Sequence, residues 1–252
     1  MHENVQLINM NAYNKISLCQ PCHGKGCCVC CGLFNCADIS FQGLSHFLNE
    51  ATYEMQSSLV TGNNARNFES VQRRYTFKDA TTYVCPNMGF IDSNTPGCLM
   101  HPVVNNGIDS RDCSLFGKEI CNDYFCPAYR ILDDRLKKIL ITYTHNWYTY
   151  SIGIIDPLSF VWIVQLIEDS AGKPIGCESN TFDSIIASLI HTSLMIYADF
   201  LNQLQEPVFY YSEPEYYLHM RLLSLHHNSS RNTAVREKIQ KAVNSGLSGY
   251  CS

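Results

Sequence analysis

The 252-residue sequence has no basic excess, no unbroken apolar run long enough to be a plain membrane span, and none of the short motifs of nucleotide or hydrolase chemistry. Lys and Arg total 18 against 23 Asp and Glu, a formal net charge of −5. Cut at residue 130, the chain carries 9 basic and 11 acidic residues before the cut, then 9 and 12 after it. Neither half offers the positive surface that tracks a phosphate backbone, so no nucleic acid partner is expected. The opening Met1-His2-Glu3-Asn4 lacks the basic start and apolar run of a secretory leader. The most apolar stretch, Ile152 to Ile167, is broken by Asp156-Pro157; the next, Ile185 to Tyr197, contains His191 and falls short of a span. These absences predict a cytoplasmic protein with no membrane partner. There is no Gly-x-Gly-x-x-Gly, Walker loop, Gly-x-Ser-x-Gly or His-Glu-x-x-His. Catalytic residues therefore cannot be named from motifs, and neither enzymatic activity nor oligomeric state is fixed by the sequence.

Cysteine is what the sequence has in quantity. Fourteen in 252 residues stays below the roughly 8–10% of a short disulfide scaffold, and a chain of this length with 46% apolar residues can build a core without cross-links. Twelve of them fall in two turn-rich regions. The first reads Cys19-x2-Cys22-x4-Cys27-Cys28-x-Cys30-Cys31-x4-Cys36. The second is Cys85-x12-Cys98-x14-Cys113-x7-Cys121-x4-Cys126, with His101 three residues after Cys98. Gly, Pro, Asn and Asp crowd both, so both are expected to be mostly loop. A Cys-x-x-Cys turn aims two sulfurs at one centre, the usual half-site of zinc and of iron–sulfur clusters. Adjacent cysteines diverge, so Cys30 and Cys31 are expected to serve different roles or different metals. Pro after Cys85 and Cys126 turns the chain away, as at the last ligand of iron–sulfur loops.

The rest of the chain reads as helix. Apolar spacing predicts helices over Ser40 to Ser58, Ala128 to Tyr150, Pro157 to Glu168 and about Phe182 to Leu204. A further helix opens at Ser212-Glu213-Pro214-Glu215, which has the form of a capping box, and the last covers about Asn232 to Asn244 with Gly246 as its C-cap. Arg73 to Phe77 reads as a short extended piece. The expected fold class is mainly α: a loop-rich cysteine metal-binding module over residues 1–130, with a helical insertion near 40–58, packed on a helical bundle over residues 131–252.

Cys27-x-x-Cys30-Cys31-Gly32, Cys85-Pro86-Asn87-Met88, Cys98-Leu99-Met100-His101 and Tyr124-Phe125-Cys126-Pro127 together resemble the CxxCxxCC family of bacterial and archaeal zinc- or iron-chelating proteins, over roughly residues 19–130. The resemblance implies a metal module, with a 4Fe–4S cluster in some members and a fusion to flagellin lysine methylases in one branch. Its matched positions are Cys27, Cys30, Cys31, Cys85, Cys98 and Cys126. Gly24 stands where the family's leading cysteine would be, and Cys113 and Cys121 are inserted before Cys126.

The candidate metal ligands are thus Cys19, Cys22, Cys27, Cys30, Cys31, Cys85, Cys98, Cys113, Cys121 and Cys126, with an iron–sulfur cluster (4Fe–4S) or zinc as cofactor. Cys28 and Cys36 are either ligands or spectators, while Cys177 and Cys251 read as bystanders. His101 reads as a loop hydrogen-bonder first and a ligand second. Glu215 and His219 pair on a helix surface, His226-His227 suit a helix end, and Tyr210, Tyr211, Tyr216 and Tyr217 suit packing. Three functions fit: an iron–sulfur protein with a protein redox partner, a zinc-stabilised interaction module, and, less directly, a protein-modifying transferase.

Overall fold

Short polar residues break the helical half into more pieces than apolar periodicity predicts. The computed structural model describes residues 16–61, 74–79, 82–113, 117–176 and 180–248. After α1 (Phe41–Thr61) come a two-stranded antiparallel hairpin, β1 (Met88–Phe90) and β2 (Pro96–Cys98), and the short α2 (Gly117–Asp123). The remainder is helix: α3 (Ala128–Ile131), α4 (Asp134–Tyr143), α5 (Trp147–Ile155), α6 (Pro157–Ala171), α7 (Asn180–Gln203), α8 (Glu213–Leu223) and α9 (Thr233–Leu247). The chain is mainly α, as its periodicity predicts.

The single helix expected over 128–150 is three. Leu132 is extended, and Asp133 starts α4 by accepting from the Leu136 N–H at 2.8 Å. Thr144 is extended in turn, and Asn146 caps α5 through the Thr149 N–H at 3.0 Å. Each carbonyl or carboxylate oxygen satisfies an amide that a helix start leaves orphaned, which makes a break there cheap. The expected capping box at Ser212 does not form; Ser212 uses its backbone carbonyl, on the Tyr216 N–H, and not its hydroxyl. Gly246 lies inside α9, where a Cβ would come within 2.5 Å of Leu189 on α7. It lets two helices approach and does not cap one.

The helix α7 is buried along Phe182, Ile186, Leu189, Ile190, Leu194, Tyr197, Ala198 and Leu201, and packs against α4, α5, α6 and α9. Residues 182–203 are long and apolar enough to cross a membrane by length and composition, a longer stretch than the sequence pattern marks, with that face taken up by the core. The other apolar run bends by 106° where α5 meets α6. Asp156 makes the corner: 1% exposed, it accepts from the Ser159 N–H at 3.0 Å, the Ser159 hydroxyl and the Tyr197 hydroxyl at 2.7 Å. Ser159 Oγ accepts from the Leu225 N–H at 2.7 Å, so one carboxyl ties α6, α7 and the end of α8 together.

One apolar core runs from Leu18 to Leu247 through loops and helices alike. Helical side chains also fasten the loop region by long-range hydrogen bonds. Tyr150 donates to the Leu18 carbonyl at 2.7 Å and Tyr148 to the Ile39 carbonyl at 2.8 Å. Asn202 accepts from the Ile39 N–H at 2.8 Å, and Lys78 donates to the Leu201 and Leu204 carbonyls at 3.0 and 2.7 Å.

Burial holds the Asp156 carboxyl above its ordinary range, against the hydrogen bonds that pull it down. A carboxyl that ionises later in the folded than in the unfolded chain contributes fully below about pH 4 and loses that contribution as pH rises. Asp156→Ala removes a cap and orphans the Tyr197 and Ser159 hydroxyls. It should lower unfolding stability by about 2–4 kcal/mol near pH 4, with the deficit shrinking toward pH 7, as read by urea denaturation at stepped pH.

Candidate functional site

Glycine sets the path of the first cysteine region. Gly26 passes so close to β2 that a Cβ would lie 1.9 Å from the Pro96 carbonyl oxygen. Gly32, at φ +83°, passes the Tyr83 carbonyl at a comparable 2.0 Å and needs the left-handed conformation that glycine adopts freely. Between them Cys27-Cys28-Val29-Cys30-Cys31 turns back on itself, with Gly32 N–H on the Val29 carbonyl at 2.9 Å and Leu33 N–H on the Cys28 carbonyl at 3.2 Å. The turn is thereby pressed against the strands that carry the second cysteine region.

Backbone bonds then fix which cysteines meet. Cys27 N–H donates to the Cys19 carbonyl at 2.9 Å. The Tyr129 hydroxyl lies 3.4 Å from Cys19 Sγ and accepts from the Leu18 N–H at 2.8 Å, while Tyr129 N–H bonds the Cys126 carbonyl at 3.0 Å. Cys19, Cys27 and Cys126 are thus drawn to one place, and the thiols of Cys27 and Cys126 both interact with Cys30 and Cys19. On the other side Cys85 N–H donates to the Cys31 carbonyl at 2.7 Å, and Leu99 N–H to the Asn87 carbonyl at 2.9 Å, bringing the Cys85 and Cys98 loops alongside Cys31. The Cys31 thiol is hydrogen-bonded with Cys28 and Cys30 and interacts with Cys85. Cys121, exposed on α2, faces Cys30, Cys85 and Cys98.

Four of these sulfurs receive an N–H from two residues further along the chain: Cys27 from Val29 at 3.4 Å, Cys85 from Asn87, Cys98 from Met100 and Cys126 from Ala128. Such bonds favour thiolate over thiol. They are outweighed. Burial first, then neighbouring sulfurs, pushes the Cys27 thiol far up, and burial does the same at Cys126. The Cys31 hydrogen bond and then burial raise Cys30, the Cys28 hydrogen bond raises Cys31, and burial takes Cys98 to about 11. Arg111, held on Asp109 through Nε at 2.9 Å and Nη2 at 2.7 Å, is the cation that faces Cys98 and Cys121 among the described residues.

Aromatic residues roof the sulfurs. Tyr124 packs at a 42° tilt against Tyr211, centroids 4.5 Å apart, and both lie beside Cys30. Tyr150 lies beside Cys27, Cys19 and Cys126. Sequence pattern points Tyr211 to packing and does not single out Tyr129 and Tyr150; the aromatics flanking Cys126 in Tyr124-Phe125-Cys126-Pro127-Ala128-Tyr129 are the available signal.

Other candidates stand apart. Cys22 is exposed in a tight turn with Lys25, whose N–H bonds its carbonyl at 3.1 Å. Cys36 is buried at an isolated bridge to Phe77, its thiol pushed to about 12 by burial and then by Asp38. His101 accepts the Val103 N–H on Nδ1 at 3.2 Å, so it serves its own loop. His219 packs edge-on against the Tyr210 ring at 5.0 Å, while Glu215 is exposed. The Cys113 side chain, Cys177 and Cys251 lie outside the described residues. Among the described residues no three His, Cys, Asp or Glu side chains converge as a lone metal ion requires. Comparison with family models, curated proteins and solved structures returns no match.

Exposure alone orders the thiols. In reduced, metal-free protein, the exposed Cys19, Cys22 and Cys121 should take up iodoacetamide first, while the buried Cys28, Cys36, Cys85 and Cys126 react on the timescale of unfolding. Peptide mapping by mass spectrometry checks the order; early labelling of Cys28 would contradict the described burial.

Proposed function

We propose that the protein holds an iron–sulfur cluster, of the 4Fe–4S type, and serves electron transfer with a protein partner. The observation that carries this reading is the meeting of Cys19, Cys27, Cys30 and Cys126, from two separate stretches of chain, under Tyr129 and Tyr150. An all-thiol donor set suits iron–sulfur clusters and zinc. A four-iron cluster takes one thiolate at each corner, and four thiols from two stretches of chain supply that number. The resemblance of the cysteine motifs to CxxCxxCC proteins goes with a metal site, of iron or of zinc.

A bound cluster of this kind supplies one-electron transfer at a potential set by hydrogen bonds to sulfur and by solvent exposure. The chain's own residues act on both. The Val29 N–H donates to the Cys27 sulfur and the Ala128 N–H to the Cys126 sulfur, which favours the electron-rich state. Tyr150 lies beside the Cys27 and Cys126 sulfurs, and Tyr124 and Tyr211 beside Cys30, where their rings limit the access of water. Tyr129 positions Cys19 by holding both its sulfur and the preceding Leu18 N–H. A reducing compartment such as the cytoplasm goes with this reading, since it keeps such thiols available.

Protein purified without oxygen should be brown, carry iron and acid-labile sulfide in equal amounts, and lose its visible absorption with dithionite. Cys126→Ser should abolish the reducible signal of this centre. Colourless protein with stoichiometric zinc and no labile sulfide contradicts the proposal.

A further inference from the structure

His191 interrupts the apolar run of α7, and the sulfur chemistry leaves it unused. Its ring is half-buried, and Nδ1 lies out of water with no hydrogen-bond partner among the described residues. His145, exposed in the loop between α4 and α5, lies flat over it, the ring centroids 4.5 Å apart and the planes 15° from parallel. Two neutral imidazoles pack well in that arrangement. Two imidazolium ions repel each other there, and the half-buried one also loses solvation. No carboxylate offsets the charge. The helix α5 carries no charged side chain, and among the described residues no charge on α4, α6 or α9 acts on His191, which burial and then His145 hold below the usual histidine range. Asp183, on the same helix, accepts from the Tyr143 hydroxyl at 2.8 Å.

We propose that His145 and His191 form an acid-sensitive latch on residues 141–146, closed while both rings are neutral and opened by protons. That short segment is where several parts of the molecule meet. Lys25, from the first cysteine region, donates to the Ile141 carbonyl. Tyr143 joins α4 to α7 through Asp183. Asn146 caps α5, the helix whose Tyr148 and Tyr150 hold the Ile39 and Leu18 carbonyls. Opening at His145 therefore loosens the grip of the bundle on the cysteine loops, whichever metal the sulfurs hold. The sign follows from linkage: a histidine that protonates at lower pH in the folded than in the unfolded chain favours the fold fully above about pH 6.5, and that contribution is lost as pH falls. Asp156 works in the opposite direction, so the latch is read by comparing wild type and variant at the same pH.

Histidine-ring nuclear magnetic resonance on the full chain tests the pair directly. His191 should titrate below about 6.5 in the wild type and move up toward that value in His145→Asn. Amide hydrogen exchange tests the consequence. Between about pH 7.5 and about pH 5.5, protection of residues 141–150, corrected for intrinsic exchange, should fall by up to about tenfold for each unit by which His191 lies below its ordinary value. His191→Phe keeps a flat ring without a proton and should show no such loss. His191 titrating at or above about 6.5 in the wild type, an unmoved titration in His145→Asn, or the full wild-type loss of protection in His191→Phe each overturns the latch. Where His191→Phe does not fold, the wild-type titration and the exposed-site variant His145→Asn decide.

Discussion

The burial of clustered sulfurs beside aromatic rings is the constraint around which the described structure is arranged. A thiolate loses much of its solvation when it leaves water, and each further thiolate beside it raises the cost. Around the Cys27–Cys31 turn, burial and sulfur neighbours act together, and Arg111 compensates on one side alone. The backbone N–H groups aimed at Cys27, Cys85, Cys98 and Cys126 are nonetheless placed to stabilise thiolate. Under the proposed function, a cation with a high affinity for sulfur would resolve a site that favours thiolates locally and penalises them collectively. That opposition of effects is the physical basis of the proposed function.

The helices are tied to the same arrangement. Tyr129 and Tyr150 each bond the main chain at Leu18, beside Cys19, and lie next to sulfur. Their hydroxyls spend hydrogen bonds on loop backbone that has no ladder of its own, as buried main-chain groups require. Asp156 does comparable work within the bundle, fixing the α5–α6 corner on which Tyr150 is carried. Loop and bundle therefore share one core, and the loops depend on the bundle for their shape.

Much of this was legible in the sequence. The apolar spacing of Leu44, Phe47, Leu48 and Met55 found α1, and that of Phe182 through Leu204 found α7, because burial on one helical face leaves a strong period. The breaks at Asp133 and Asn146 were hidden, since the apolar stripe from Leu132 to Tyr143 continues across the first and the aromatic run past the second. Gly246 was misread because a glycine near a helix end looks the same whether it caps or lets a neighbour approach. The crowding of cysteines was plain, whereas their grouping was not: that depends on which carbonyl accepts the Cys27 and Cys85 amides, a tertiary fact. The separation of Cys36 from the rest has the same origin, since its place at Phe77 is set by chain pairing and not by its spacing from Cys31.

X-ray absorption at the iron edge of anaerobically purified protein tests the account most directly, because it reports the atoms bound to the metal and the presence of neighbouring metal without reference to any activity. The account predicts a first shell of sulfur alone and a second shell of iron. A first shell of oxygen or nitrogen, or sulfur-bound metal with no metal neighbour, would contradict it.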